Sequence, residues 1–128
     1  MNAKITYTNP TDMPTPGGHY SHGVAANGML FIAGQLPIDA NGNKLASASF
    51  AVQATQTLAN IAAVLRAHKL TVANLVQVRV YVTDIENWAA FNQIYAAWAG
   101  DAKPARAVVP VPQLHYGLLL EIEAVAAL

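Results

Sequence analysis

Residues 76–82 constrain the chain most. Val76, Val78, Val80 and Val82 alternate with Gln77, Arg79 and Tyr81. Side chains of a pleated strand point to its two sides in turn, so this pattern predicts a strand with one buried face. Other elements can be read around it. Two apolar runs, 22–26 and 29–33, flank Asn27-Gly28, a pair suited to the two positive φ angles of a tight hairpin turn. A second turn is predicted at Asn41-Gly42-Asn43. Ala54, Leu58, Ile61, Ala62 and Leu65 recur at helical spacing and predict a helix over 50–67, capped by Ser47 or Ser49. His68-Lys69 stand at its end in place of glycine, and His68 is expected to interact with the last carbonyls. A second helix is predicted over 88–99, with Asn87 as cap, Gly100 as stop and a stripe of Trp88, Phe91, Tyr95 and Trp98 that also carries Asn92. The prolines at 110 and 112 make 103–112 an edge or interrupted strand. Residues 118–126 stay ambiguous. Their composition favours helix, whereas period-2 spacing sets Glu121 and Glu123 opposite Leu120, Ile122 and Ala124.

Composition narrows the class. Charged residues are 11% of the 128, against roughly 25% in an average soluble domain. Hydrophobic residues are 54%, which excludes intrinsic disorder, and the length predicts one domain, 1–128. Seven basic and seven acidic side chains give zero net charge, an unsuitable balance for a nucleic-acid binder. A surface with so few charges implies apolar area buried between subunits. Without cysteine, thiolate nucleophiles and cysteine-based metal sites are excluded. Met1-Asn2-Ala3-Lys4 precedes no apolar core of a leader, and no apolar run reaches the roughly 18 residues of a membrane span. The expectation is a cytoplasmic protein with no membrane partner.

Three features carry candidate chemistry. The loop from Gly17 to Gly23 offers backbone N–H groups and the Tyr20 phenol, either as a ligand wall or as a plain entry into the hairpin. Arg106 is one of only three arginines and suits a carboxylate, either a ligand's or that of Glu121 or Glu123. Glu121 lies in an apolar segment, where a raised pKa would suit a base, unless it faces solvent. His19 and His22 have the spacing of a metal pair, but the Gly-rich loop around them gives no metal site.

In order along the chain, these residues resemble the RidA (YjgF) family of enamine/imine deaminases. The match runs from Tyr20-Ser21 and Gly28 through Gly34-Gln35-Leu36-Pro37, Gln53, Asn60, the valine strand, Asn92 and Tyr95 to Pro104-Ala105-Arg106 and Leu120-Glu121-Ile122-Glu123-Ala124. The resemblance implies an α+β, chorismate-mutase-like fold: a mixed sheet of about six strands with two helices packed on one face. It places 118–126 in a strand. It also implies a homotrimer with its sites in clefts between subunits. Catalytic roles fall to Arg106, gripping the substrate carboxylate, and Glu121, activating water. Tyr20, Ala33, Gly34, Asn92, Val108, His19 and His115 would contact substrate. No cofactor or metal is implied. The reaction would convert 2-imino or enamino acids to 2-keto acids and ammonia, and positioning with modest acid/base help suffices for it.

Departures from the family pattern bear on substrate. Ala33 stands where many members have Ser, and Val108 where many have Cys. His19 and His115 replace common prolines, and His22 a common Gln. These histidines would suit a larger or doubly acidic enamine such as 2-aminomuconate, or are variants of tolerant loops. An aminoacrylate-type substrate is a further possibility. A keto-acid-binding regulator without turnover is the alternative from another class, and the neutral charge fits a ribonuclease poorly.

Overall fold

The structure, a computed structural model, describes residues 4–128. Met1-Asn2-Ala3, the start of the segment read above for a leader, lie outside the described residues. Six strands form one sheet: β1 (Thr6–Thr8), β2 (Gly23–Ala26), β3 (Met29–Gln35), β4 (Leu75–Val82), β5 (Ala105–Pro110) and β6 (Leu120–Ala127). Their spatial order is β1-β2-β3-β6-β4-β5, antiparallel except for the parallel pair β4 and β5. That parallel pair needs a crossover, supplied by helix α2 (Trp88–Ala99). Helix α1 (Phe50–Ala67) connects β3 to β4.

The hairpin forms where Asn27-Gly28 predicts it. Asn27 and Gly28 have φ of 52° and 77°, and Ala26 pairs with Met29. Helix α1 has the predicted bounds, and the Ser49 side chain accepts from the Val52 N–H. Its end differs from the expectation. Lys69, at φ 58°, takes the left-handed position usual for glycine, and the Leu70 N–H reaches the Leu65 carbonyl. The His68 ring does not cap carbonyls; its Nε2 lies 2.7 Å from Thr8 Oγ1 and ties the helix end to β1. Helix α2 also has its predicted bounds, but Asn87 makes no side-chain cap. Asp84, three residues earlier, instead accepts from the Glu86 N–H in the short 3-10 turn that leads in.

Both helices cover one face of the sheet. Val78, Val80 and Val82 of β4 and Leu120, Ile122, Ala124 and Ala126 of β6 pack there with Leu58, Ile61 and Val64 of α1 and Phe91 of α2. Burial of such apolar area is the main stabilising term. Two predicted positions are displaced. Val76 is 45% exposed, because the β4–β6 register shifts between Leu75 and Gln77 and Leu75 takes the inward place. Trp88 also remains 45% exposed, while Phe91 and Tyr95 are buried. The C-terminal segment is a strand, with alternate residues in the core and Glu121 and Glu123 on the uncovered face. Strand β5 is shorter than the predicted 103–112; it lies at the sheet edge, where Pro110 is tolerated, and ends before Pro112.

Candidate functional site

Glu121 is placed by β6 directly across from Tyr81 on the face the helices leave open. Next to it, β3 carries an extra residue: Ile32 pairs with Ala124, but Gln35 pairs with Ile122. Ala33 and Gly34 occupy this bulge. The glycine leaves room there for the carboxylate, because a Cβ at 34 would stand 2.6 Å from Glu121 Oε2. The bulge therefore opens the space that the carboxylate occupies. Burial holds the Glu121 carboxyl above its usual range, nearby His115 opposes that shift, and the Glu123 charge adds to it.

Around Glu121 is a concavity of about 430 Å³. Its walls include Tyr20, Ala33, Gly34, His115 and Tyr116, with Gly17 and Gly18 from the preceding loop. The loop is held by His22, which is buried. Its backbone N–H donates to Asn9 Oδ1, its Nε2 lies 2.8 Å from the Pro14 carbonyl, and its Nδ1 lies 3.2 Å from Gln35 Nε2. His22 thus has a structural role, and it also lines a smaller neighbouring pocket. His19 is exposed and is not among the lining residues of the concavity. Tyr116 was not anticipated from sequence. It follows His115 in a short 3-10 turn and holds a left-handed φ of 61°, a feature without a sequence signal in a tyrosine.

Arg106, Asn92 and Val108 lie elsewhere. Arg106 is level with Val78 in the parallel β4–β5 register, so it points to the helix-covered face. Its Nη1 donates to Asn92 Oδ1 at 3.0 Å, and its guanidinium carbon lies 4.9 Å from the centre of the Tyr95 ring. Val108, two residues on, packs against the core on that same face. Arg106 has no ion-pair partner among the described residues, and Glu123 pairs instead with Arg79 at 2.9 Å. Within one chain, Arg106 is therefore not the partner of Glu121 or Glu123. The same ion pair, with Tyr81 Oη 3.4 Å from Glu123 Oε2, occupies Glu123 on the open face.

One chain thus carries two separate halves. Arg106 aligns with Ala124 across β4, whereas Glu121 aligns with Val109. Two strand spacings and a three-residue offset put their Cα atoms about 14 Å apart, on opposite faces of the sheet. The guanidinium half, resting on Asn92 and Tyr95, suits a carboxylate. The Glu121 half offers a base with a raised pKa in a partly enclosed wall. Among the described residues, no group of His, Asp or Glu side chains is arranged to hold a metal ion, and no helix is long and apolar enough to cross a membrane.

Comparison with known proteins agrees with this architecture. A family model described as endoribonuclease L-PSP matches residues 10–128. A RutC family protein of Pyrococcus horikoshii is 40% identical over 113 residues, covering 88% of this chain and 90% of that protein. The crystal structure of RidA from an Antarctic Psychrobacter superposes with a TM-score of 0.90 at 29% identity, covering 96% of this chain and 99% of that one. TdcF of Escherichia coli with bound serine superposes with a TM-score of 0.89 at 29% identity, covering 96% of this chain and 98% of that one. With a mixed six-stranded sheet, two helices on one face and a family match over nearly its full length, this chain belongs to the YjgF/RidA family.

Proposed function

We propose that the protein is a homotrimeric deaminase of 2-imino or enamino acids, acting as a single 1–128 domain with each site shared by two subunits. The observation that carries this reading is the separation of the two halves. Arg106 and Glu121 serve one small substrate only if a neighbouring chain brings one half to the other. The uncovered sheet face supports such an assembly. Tyr7 and Phe31 are 71% and 48% exposed there, in line through Val24. An apolar face of this kind favours a partner.

In the assembled cleft, Arg106 grips the substrate carboxylate while Asn92 and Tyr95 fix the guanidinium. An enamine first takes a proton at carbon to become the imine. Glu121, as the carboxylate, then accepts a proton from water as the water's hydroxyl adds to the imine carbon, and passes that proton to the nitrogen. The carbinolamine then expels ammonia and leaves the 2-keto acid. Tyr20, Ala33, Gly34 and His115 shape the wall, Val108 lies beside Arg106, and His19 stays outside. The small-molecule character is in keeping with the serine bound to TdcF. RNA is disfavoured as substrate despite the family's description, since zero net charge and three arginines supply no phosphate-tracking stripe.

The test is ammonia release from freshly generated 2-iminobutanoate. Arg106→Ala and Glu121→Gln are expected to slow it by at least about a hundredfold, the range of a lost acid/base or anchoring contribution. Equal rates for wild type and Arg106→Ala would sink the reading. Binding of 2-ketobutyrate without any turnover by wild type would instead favour a keto-acid sensor built on the same Arg106 clamp.

A further inference from the structure

Beside the Glu121 concavity is a smaller pocket of about 160 Å³ under the 13–17 segment. The two share Gly17, Tyr20, Leu36, Ile38 and Tyr116, so they are adjoining parts of one depression. The smaller part is also lined by Lys44. Several contacts station that lysine. Ile38 bridges Lys44 across the Asn41–Asn43 turn, and the Asp39 carboxylate accepts from the N–H groups of Asn41 and Asn43 and from Asn43 Nδ2. These bonds hold Asp39 below the usual carboxylate range and occupy the acid nearest to Lys44 in sequence. Lys44 itself has no ion-pair partner among the described residues. Its Nζ instead lies 4.6 Å from the centre of the Tyr116 ring. The His115 ring centre is 5.9 Å from that of Tyr116.

A strongly hydrated ammonium on a flexible stem, resting on an aromatic wall, is a point charge ready to meet a second anion. We propose that Lys44 recognises a second carboxylate on the substrate, so that the depression prefers dicarboxylic imino and keto acids over monocarboxylic ones. The first carboxylate goes to Arg106 of a neighbouring chain, and the reacting carbon to Glu121. This assignment rests on the function proposed above and names its substrate class. Tyr116 is the platform and His115 a secondary donor. The preference comes from the charge, so salt weakens it.

Calorimetric titration of the full chain with 2-ketoglutarate and with 2-ketobutyrate tests the assignment. Wild type is expected to bind the dicarboxylate more tightly. Lys44→Met is expected to reduce that preference about three- to tenfold, as for a partly screened charge-assisted contact. Lys44→Arg is expected to retain it, and raised salt to erode it. No preference in wild type, or an equal loss for both acids in Lys44→Met, overturns the assignment. Hydrolysis of the two corresponding imines, generated in place by amino-acid oxidases, separates the two readings. Wild type that prefers the dicarboxylic keto acid but hydrolyses neither imine retains the Lys44 role and loses the deaminase. Hydrolysis of both imines with equal binding does the reverse.

Discussion

Glu121 is half-buried, and burial with the neighbouring Glu123 charge holds its carboxyl above the usual range. The base form is therefore lost on acidification earlier than in an exposed glutamate. The acid limb of kcat/KM is expected above the usual glutamate range. His115 opposes the shift, so His115→Ala should move that limb to higher pH, and a limb that stays put or falls would remove His115 from the Glu121 field. Stability carries the same sign. A raised folded pKa means the folded state favours the protonated acid; the stabilising contribution is full below the unfolded pKa and is lost as pH rises through the folded one. Glu121→Gln should then gain in Tm over wild type at pH 7 and not at pH 4. Tyr95 gives a second residue-level prediction. Its hydroxyl is buried without a partner among the described residues, while its ring carries Arg106. Tyr95→Phe keeps the ring and removes the orphan, so thermal unfolding should show equal or higher stability, by up to about 1 kcal/mol. Sequence pointed to Glu121 because a charge in an apolar run stands out. Tyr116 and Lys44 carried no such signal, since neither is unusual for a loop.

The bulge at Ala33–Gly34 is the element that makes the Glu121 half possible. Gly34→Ala would push a methyl group against the end of the Glu121 side chain, which can turn away without unfolding the sheet. The expected result is a loss of at least about tenfold in kcat/KM, from misplaced catalytic geometry, with Tm changed little. Gly23→Ala is the contrasting case. Its Cβ would meet Val64 Cγ1 at 2.9 Å inside the core, and about 1–3 kcal/mol of stability should be lost to overpacking. The main elements were legible because periodicity and Asn-Gly chemistry are local. The hairpin, both helix ranges and the β5 edge follow from them. The three-residue β1, the Val76 bulge, Lys69 as a helix terminator and Asp84 as the turn cap were not legible. Each depends on pairing or backbone angles set by the rest of the fold rather than by a nearby pattern. The strand character of 118–126 needed the resemblance, because propensity and periodicity disagreed there.

At the scale of the whole molecule, the low charge density goes with the apolar surface that the single chain leaves open. The helices bury one face of the sheet, while Tyr7, Phe31 and the concavity remain uncovered on the other side. Arg106 and Glu121 are legible as individual residues, but their placement on opposite faces is not. It follows from the parallel β4–β5 register, which no local pattern encodes. The central claim is that one catalytic site combines Arg106 of one chain with Glu121 of another. Mixed refolding of Arg106→Ala with Glu121→Gln, each nearly inactive alone, tests this most directly. Random assembly in a cyclic trimer places an intact Arg106 against an intact Glu121 at about one site in four. Recovery of about a quarter of wild-type activity is the predicted result. No recovery, with mixed trimers verified by mass spectrometry, would contradict the shared site.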